Sequence, residues 1–222
     1  MTKSAREAKV EQVHEYVDKL KPFYSNPEQL VFVDETAKDS RDGARRYAWS
    51  KRNIPAVVTL PFVRGERVSV LAAMSTDGFL SWGFTTGTFT RHKFHRTSYE
   101  KILPLLNPWP LPRSILVLDN AKIHMYRELE EAVHSVGALL FFLPPYCPQL
   151  NPIEVGFSLL KRWIQKNVNM AFSFAPEEVL DLAMWSCTRA SGSTRGTYRH
   201  CGYHDEALAI NVSAAATSRT NV

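Results

Sequence analysis

The sequence predicts a single α/β domain, a mixed sheet with helices against its faces. Three observations predict it. Apolar runs of strand length alternate with helical periodicity along most of the 222 residues. Two early β-rich runs flank an Asp-Gly turn, as antiparallel partners do. Later strands are separated by helices, the spacing of βαβ units and parallel pairing. The length suits one domain, and 45% apolar against 22% charged residues supports a packed core.

Val10, Val13, Val17 and Leu20 recur at helical spacing between charges, so the segment up to Pro22 is one amphipathic helix. Leu30-Val31-Phe32-Val33-Asp34 is a continuous apolar run ending in acid, the pattern of a buried central strand. From Asp39 to Lys51 the chain is polar and carries Arg41, Arg45 and Arg46, an exposed loop or hairpin. Arg67–Ser75 and Phe79–Thr86 then form the hairpin around Thr76-Asp77-Gly78. Thr90 to Leu106 is helical and stops at Asn107-Pro108. Ser114–Asp119 is a second strand ending in acid. Tyr126–Ser135 is helical, with Gly137 as its C-cap glycine, and Ala138–Leu143 is another buried strand. Further helices run from Pro152 to about Asn167 and from Pro176 to about Thr188. The chain thus divides into a helix and link (1–29), the α/β domain (30–190) and a C-terminal segment (191–222). The small polar tail after Asp205 is expected to be partly disordered.

Composition narrows the function. No stretch reaches the roughly 18–20 uncharged apolar residues of a membrane helix, and the polar N-terminus is no secretory signal. Cys147, Cys187 and Cys201 form no CxxC pair and read as reduced thiols of an intracellular protein. The net charge of +5 favours a polyanionic partner without establishing one.

Two strands end in aspartate, Asp34 and Asp119. As parallel neighbours they would bring two carboxylates to the strand ends where open α/β sheets gather ligands. Such a pair must share a proton or a cation. In the competing reading each is merely a turn residue that ends its strand. Glu154 adds a third acid within Asn151-Pro152-Ile153-Glu154, with Asn as N-cap, Pro at N1 and Glu at N3 of a helix. Capping alone would explain it. Its helix, however, sets Glu154, Ser158, Lys161, Arg162 and Gln165 on one side, against Val155, Leu159, Leu160, Trp163 and Ile164. The acid therefore shares a basic face suited to phosphates, and the helix dipole favours its ionised form. Three hard oxygen ligands without clustered His or Cys suit magnesium or manganese, not zinc. Paired ions held this way serve in-line displacement at phosphorus.

Five segments, VFVDET (Val31–Thr36), RRYAWS (Arg45–Ser50), RVSVLAAMSTDGFL (Arg67–Leu80), ILVLDNAKIH (Ile115–His124) and LPPYCPQLNPIE (Leu143–Glu154), together resemble the catalytic domain of mariner-type DDE transposases. The 34 residues between Asp119 and Glu154 are similar to the spacing of that branch. The resemblance covers about Leu30 to Asn167 and extends to Arg199-His200-Cys201-Gly202-Tyr203, similar to the end of some eukaryotic members. It implies a ribonuclease-H-like fold, two Mg2+ or Mn2+ ions, and DNA strand cleavage followed by strand transfer. Asp34 matches the first acid, which bridges both ions, Asp119 the second and Glu154 the third, each on one ion. Cys147 and Gln149 stand where the family commonly has Ser and Asp. The resemblance also implies DNA as partner, admits a homodimer, and places a eukaryotic member in the nucleus. Members of this type carry paired helix-turn-helix modules upstream, for which the 33 residues before Asp34 leave no room. The chain is therefore expected to be an isolated catalytic domain, a truncated copy or a host-adopted remnant. End recognition then falls to a separate protein or domain.

Two rivals stay open: a generic ribonuclease-H-like nuclease acting on RNA or hybrids, and a degenerate copy serving as a non-catalytic DNA-binding module. The expected DNA contacts are Arg45, Arg46, Lys161 and Arg162, while Arg91, Lys93 and Arg96 read as a solvated face. Glu35 and Asn120 directly follow the aspartates and should point to the opposite side of the strand or into the turn. His124, five positions after Asp119, is placed to contact a phosphate or the scissile region but reads more readily as a surface or capping histidine, and His200-Cys201 with His204 as structural, not a zinc site. Trp49, Trp82 and Trp163 are expected to pack in the core or on the sheet.

Overall fold

The computed structural model describes residues 10–38, 49–57, 67–167, 174–191, 194–205, 207–208 and 210. Its centre is β1 (Leu30–Lys38), whose apolar half, Leu30 to Val33, is inaccessible to solvent on both faces. The sheet runs β3-β2-β1-β4-β5. On one side β2 (Val68–Ser75) and β3 (Gly78–Thr86) form the expected antiparallel hairpin. On the other, β4 (Ile115–Leu118) and β5 (Leu139–Phe142) are parallel to β1 and to each other. Gly78 makes the hairpin turn at φ +116, where a Cβ would also come 2.9 Å from Thr188 Cγ2. Glycine alone meets both demands.

Side chains alternate across β1 and so divide two cores. Leu30 and Phe32 pack with α1 (Val10–Leu20), α4 (Pro152–Lys166) and α5 (Pro176–Ser191). Val31 and Val33 pack with α2 (Arg91–Lys101) and α3 (Arg127–Ser135). A last short helix, α6 (Arg195–His200), leads into the ribbon of β6 (Tyr203–His204) and β7 (Ala207–Leu208). This end of the chain belongs to the α4-side core: Tyr198 and Tyr203 are fully buried, and the Tyr198 hydroxyl donates to the Met74 carbonyl at 2.8 Å. Ile210 is buried as well, so the chain keeps structure past Asp205.

Three expectations need correction. The helix from Thr90 ends at Lys101, and Leu103–Leu105 is a separate 3-10 turn, because Pro104 has no N–H to continue the helix. The first strand does not end at Asp34 but runs on to Lys38, since β2 pairs with it throughout, from Phe32↔Met74 to Lys38↔Val68. Trp49 is fully exposed, as Ile54 and Val57 are exposed, and it belongs to neither core. Trp82 and Trp163 are half-buried against the α4-side core as expected. Among the described residues no helix is long and apolar enough to cross a membrane.

Candidate active site

Register brings the first two acids together. The parallel ladder ends at Val33↔Leu118, so the next residue on each strand, Asp34 and Asp119, stands at the same level. Asp34 shares the face of Leu30 and Phe32, the side on which α4 lies, and only 7% of it is exposed.

The third acid arrives on α4. The chain leaves β5 through Pro144, Pro145 and Pro148 and enters the helix at Pro152. Ile153, Gly156, Phe157, Leu160 and Ile164 form its buried stripe, whereas Val155 and Leu159 are only half-buried. Gly156 lets the helix lie close: a Cβ there would come 2.9 Å from Met74 Sδ and 3.0 Å from the Phe79 ring. From the other end of the chain Tyr203 braces the approach, its hydroxyl donating to the Leu150 carbonyl at 2.9 Å. Glu154 stays exposed at N3, and Asp34, Asp119 and Glu154 line one open cavity of about 370 Å³ with Asn120, Tyr146 and Asn151. Tyr146, exposed at the rim, holds φ +58, a left-handed backbone unusual for an aromatic residue.

Charge crowding shows in the titration of these groups. Burial, reinforced by the neighbouring Asp119 and Glu154 charges, pushes Asp34 up to about 8. Its oxygens are held by the Glu35 N–H at 2.7 Å and by Asn151 Nδ2 at 2.8 Å. Asn151 occupies the N-cap position of α4, but its side chain makes no cap hydrogen bond and reaches across to Asp34 instead. Asp119 behaves oppositely. Burial opposes its ionisation, but His124 and the Ala121 N–H, 3.0 Å from Oδ1, outweigh that and hold the carboxyl below its usual range.

His124 is the largest departure from expectation. It is completely buried, with Nδ1 2.6 Å from Asp119 Oδ1, Nε2 3.0 Å from Glu35 Oε1, and its ring 4.3 Å from that of Phe94. Glu35 does point to the face opposite Asp34, and there it meets this histidine. Burial alone would lower the imidazole pKa, but the two carboxylates raise it to about 10.

Glu154, Ser158, Lys161, Arg162 and Gln165 are all exposed, as the helical periodicity requires of one polar face. Arg45 and Arg46 lie outside the described residues. The second basic stretch is engaged locally: Arg91 bonds the Lys122 carbonyl and covers the Tyr126 ring, and Arg96 pairs with Glu100. His200 is exposed while Cys201 is buried, so these two do not converge.

Three carboxylates and two buried amide oxygens without a hydrogen-bond partner, Asn120 Oδ1 and Asn151 Oδ1, line or border the cavity. This surplus of hard acceptors fits a hard divalent cation. Among the described residues no three His, Cys, Asp or Glu side chains are grouped closely enough to hold an ion by themselves.

A family model for DDE superfamily endonucleases matches residues 29–173, which contain all three acids. The chain belongs to that family. No curated protein matches it by sequence. Among solved structures, this DDE domain is similar to a Mos1 strand transfer complex, with a TM-score of 0.51 and 15% identity over 91% of this chain and 66% of that one. A Mos1 transposase paired-end complex with left transposon end matches with a TM-score of 0.52 and 14% identity, over 93% of this chain and 68% of that one. A Mos1 mariner paired end complex with Mn gives 0.51 and 12%, over the same shares. At these identities the likeness shows the fold, which is ribonuclease-H-like. The chain spans about two thirds of the length of these relatives.

Proposed function

We propose that this DDE domain is the catalytic core of a mariner-type transposase, a magnesium- or manganese-dependent DNA endonuclease and strand transferase. One observation carries the reading: acids from β1, the end of β4 and the first turn of α4 surround a single cavity in a chain of this family. The Mos1 complexes, one with a transposon end and one with Mn, support it. Asp34, Asp119 and Glu154 would hold two ions, which when bound activate the attacking water or hydroxyl and stabilise the leaving oxygen. β1 carries Asp34, the end of β4 leads into Asp119, and the helix brings in Glu154 with the basic face behind it. Lys161 and Arg162, exposed on that face, would contact the phosphate backbone of DNA.

Magnesium or manganese should support nicking of a labelled duplex, calcium should bind without turnover, and a chelator should stop the reaction. Nicking that survives full chelation would refute the proposal. Lys161→Ala with Arg162→Ala should weaken DNA binding and reduce the slope of log affinity against log salt by up to about two phosphate contacts. An unchanged slope in a binding titration at several salt concentrations would take the DNA path off this face.

A further inference from the structure

The turn after β4 folds back on itself. Asp119 Oδ1 accepts the Ala121 N–H, the His124 N–H donates to the Ala121 carbonyl at 2.9 Å, and the imidazole returns beneath the carboxylate it follows by five positions. Its Nδ1 reaches Asp119 Oδ1 and its Nε2 reaches Glu35 Oε1, so one buried ring ties the end of β4 to β1 on the face away from the cavity. Phe94 of α2 lies against the ring and fixes its plane. The Ala121 N–H thus donates to Asp119 Oδ1, and the His124 ring makes an ion-pair contact with the same oxygen, close at 2.6 Å but without the alignment of a hydrogen bond. Among the described residues none donates to Oδ2.

We propose that His124 is a positioning residue that anchors Asp119 through Oδ1 and so presents Oδ2 to a divalent cation. This rests on the assignment of Asp119 as a metal ligand. A carboxylate ending a strand is otherwise free to rotate, and outer contacts that orient such a ligand are worth about 10–100-fold in metal affinity or activity. Glu35 supports the ring from behind, and Phe94 keeps water from the pair.

The two ring nitrogens can be tested separately. An asparagine amide nitrogen falls near the place of Nδ1, and a glutamine amide nitrogen near that of Nε2. His124→Asn should keep the Asp119 contact and lose Glu35, and His124→Gln the reverse. Binding of Mn2+, followed by the paramagnetic resonance of the free ion, should remain within about threefold of wild type in the Asn variant. It should weaken about 10–100-fold in the Gln variant. Thermal unfolding of both variants separates this from a packing role, which would lower melting temperature and Mn2+ binding alike in both. Equal Mn2+ binding by the two variants, tight or weak, overturns the proposal. Should the Gln variant fail to fold, the Asn variant decides: retained Mn2+ binding supports the anchor, and lost binding overturns it. Asp119→Asn is the control. If it binds Mn2+ like wild type, the ligand assignment fails; if it loses binding while His124→Gln keeps it, the assignment stands and the anchor fails.

Discussion

Glu154→Gln is expected to reduce DNA nicking to background while leaving fold stability within about 1 kcal/mol of wild type, the scale of one charge at a helix N-terminus. Glu154 is exposed at N3 of α4, and among the described contacts its carboxylate accepts no hydrogen bond. The helix start is secured instead by Pro152 at N1 and by the buried stripe from Ile153 to Ile164. Glutamine keeps length and shape, so only the charge leaves. DNA affinity should hold or rise slightly, since a negative charge is removed near phosphates. A nicking assay with manganese, paired with thermal unfolding, reads both sides. Full cleavage by the variant would reduce Glu154 to an ordinary first-turn glutamate, and a large loss of stability would show a structural duty that the contacts do not reveal.

The meeting of Asp34, Asp119 and Glu154 at one cavity was legible because each sits in a local pattern that survives folding. Apolar runs ending at Asp34 and Asp119 become parallel neighbours in register, and the helix start before Glu154 forms where its proline places it. What stayed hidden depends on groups brought from elsewhere in the chain. Asn151 has the right residue type for an N-cap and stands at that position, yet Asp34, 117 residues away, takes its side chain. His124 lies in a polar turn that resembles surface, and its burial is produced by Phe94 and Glu35 from other elements. The continuation of β1 through Glu35, Thr36 and Lys38 is equally nonlocal, because polar residues there stay extended only by pairing with β2. Tyr203, carried at the far end of the chain, shows its use only where its hydroxyl meets Leu150.

Asp34→Asn should abolish cleavage and at the same time stabilise the metal-free protein. Asp34 titrates near 8 in the fold, against an ordinary value of 3.8, because it is buried and faces Asp119 and Glu154. Between those two values the folded chain binds a proton that the unfolded chain has released. The stability that depends on Asp34 is therefore full below about pH 4, falls as pH rises through the window, and is lowest above pH 8. Each tenfold change in proton affinity is worth about 1.4 kcal/mol, so the ceiling on this penalty is about 6 kcal/mol. Asparagine removes the ionisation and can keep the contacts. Its Oδ1 accepts the Glu35 N–H as before, and if the Asn151 amide turns over, the now unpartnered Asn151 Oδ1 meets the new Nδ2. Thermal unfolding between pH 4 and 8 in chelator should thus show a falling melting temperature for wild type and a much flatter one for the variant. What slope the variant keeps above pH 6.5 belongs to His124, which is raised to about 10 and gives up its own stabilisation only over that higher range. Magnesium should raise the wild-type melting temperature, most at high pH, by binding the folded state, and should act far less on the variant. A variant less stable than wild type at pH 8 would mean that Asp34 contributes more as a hydrogen-bond acceptor than it costs as a buried charge.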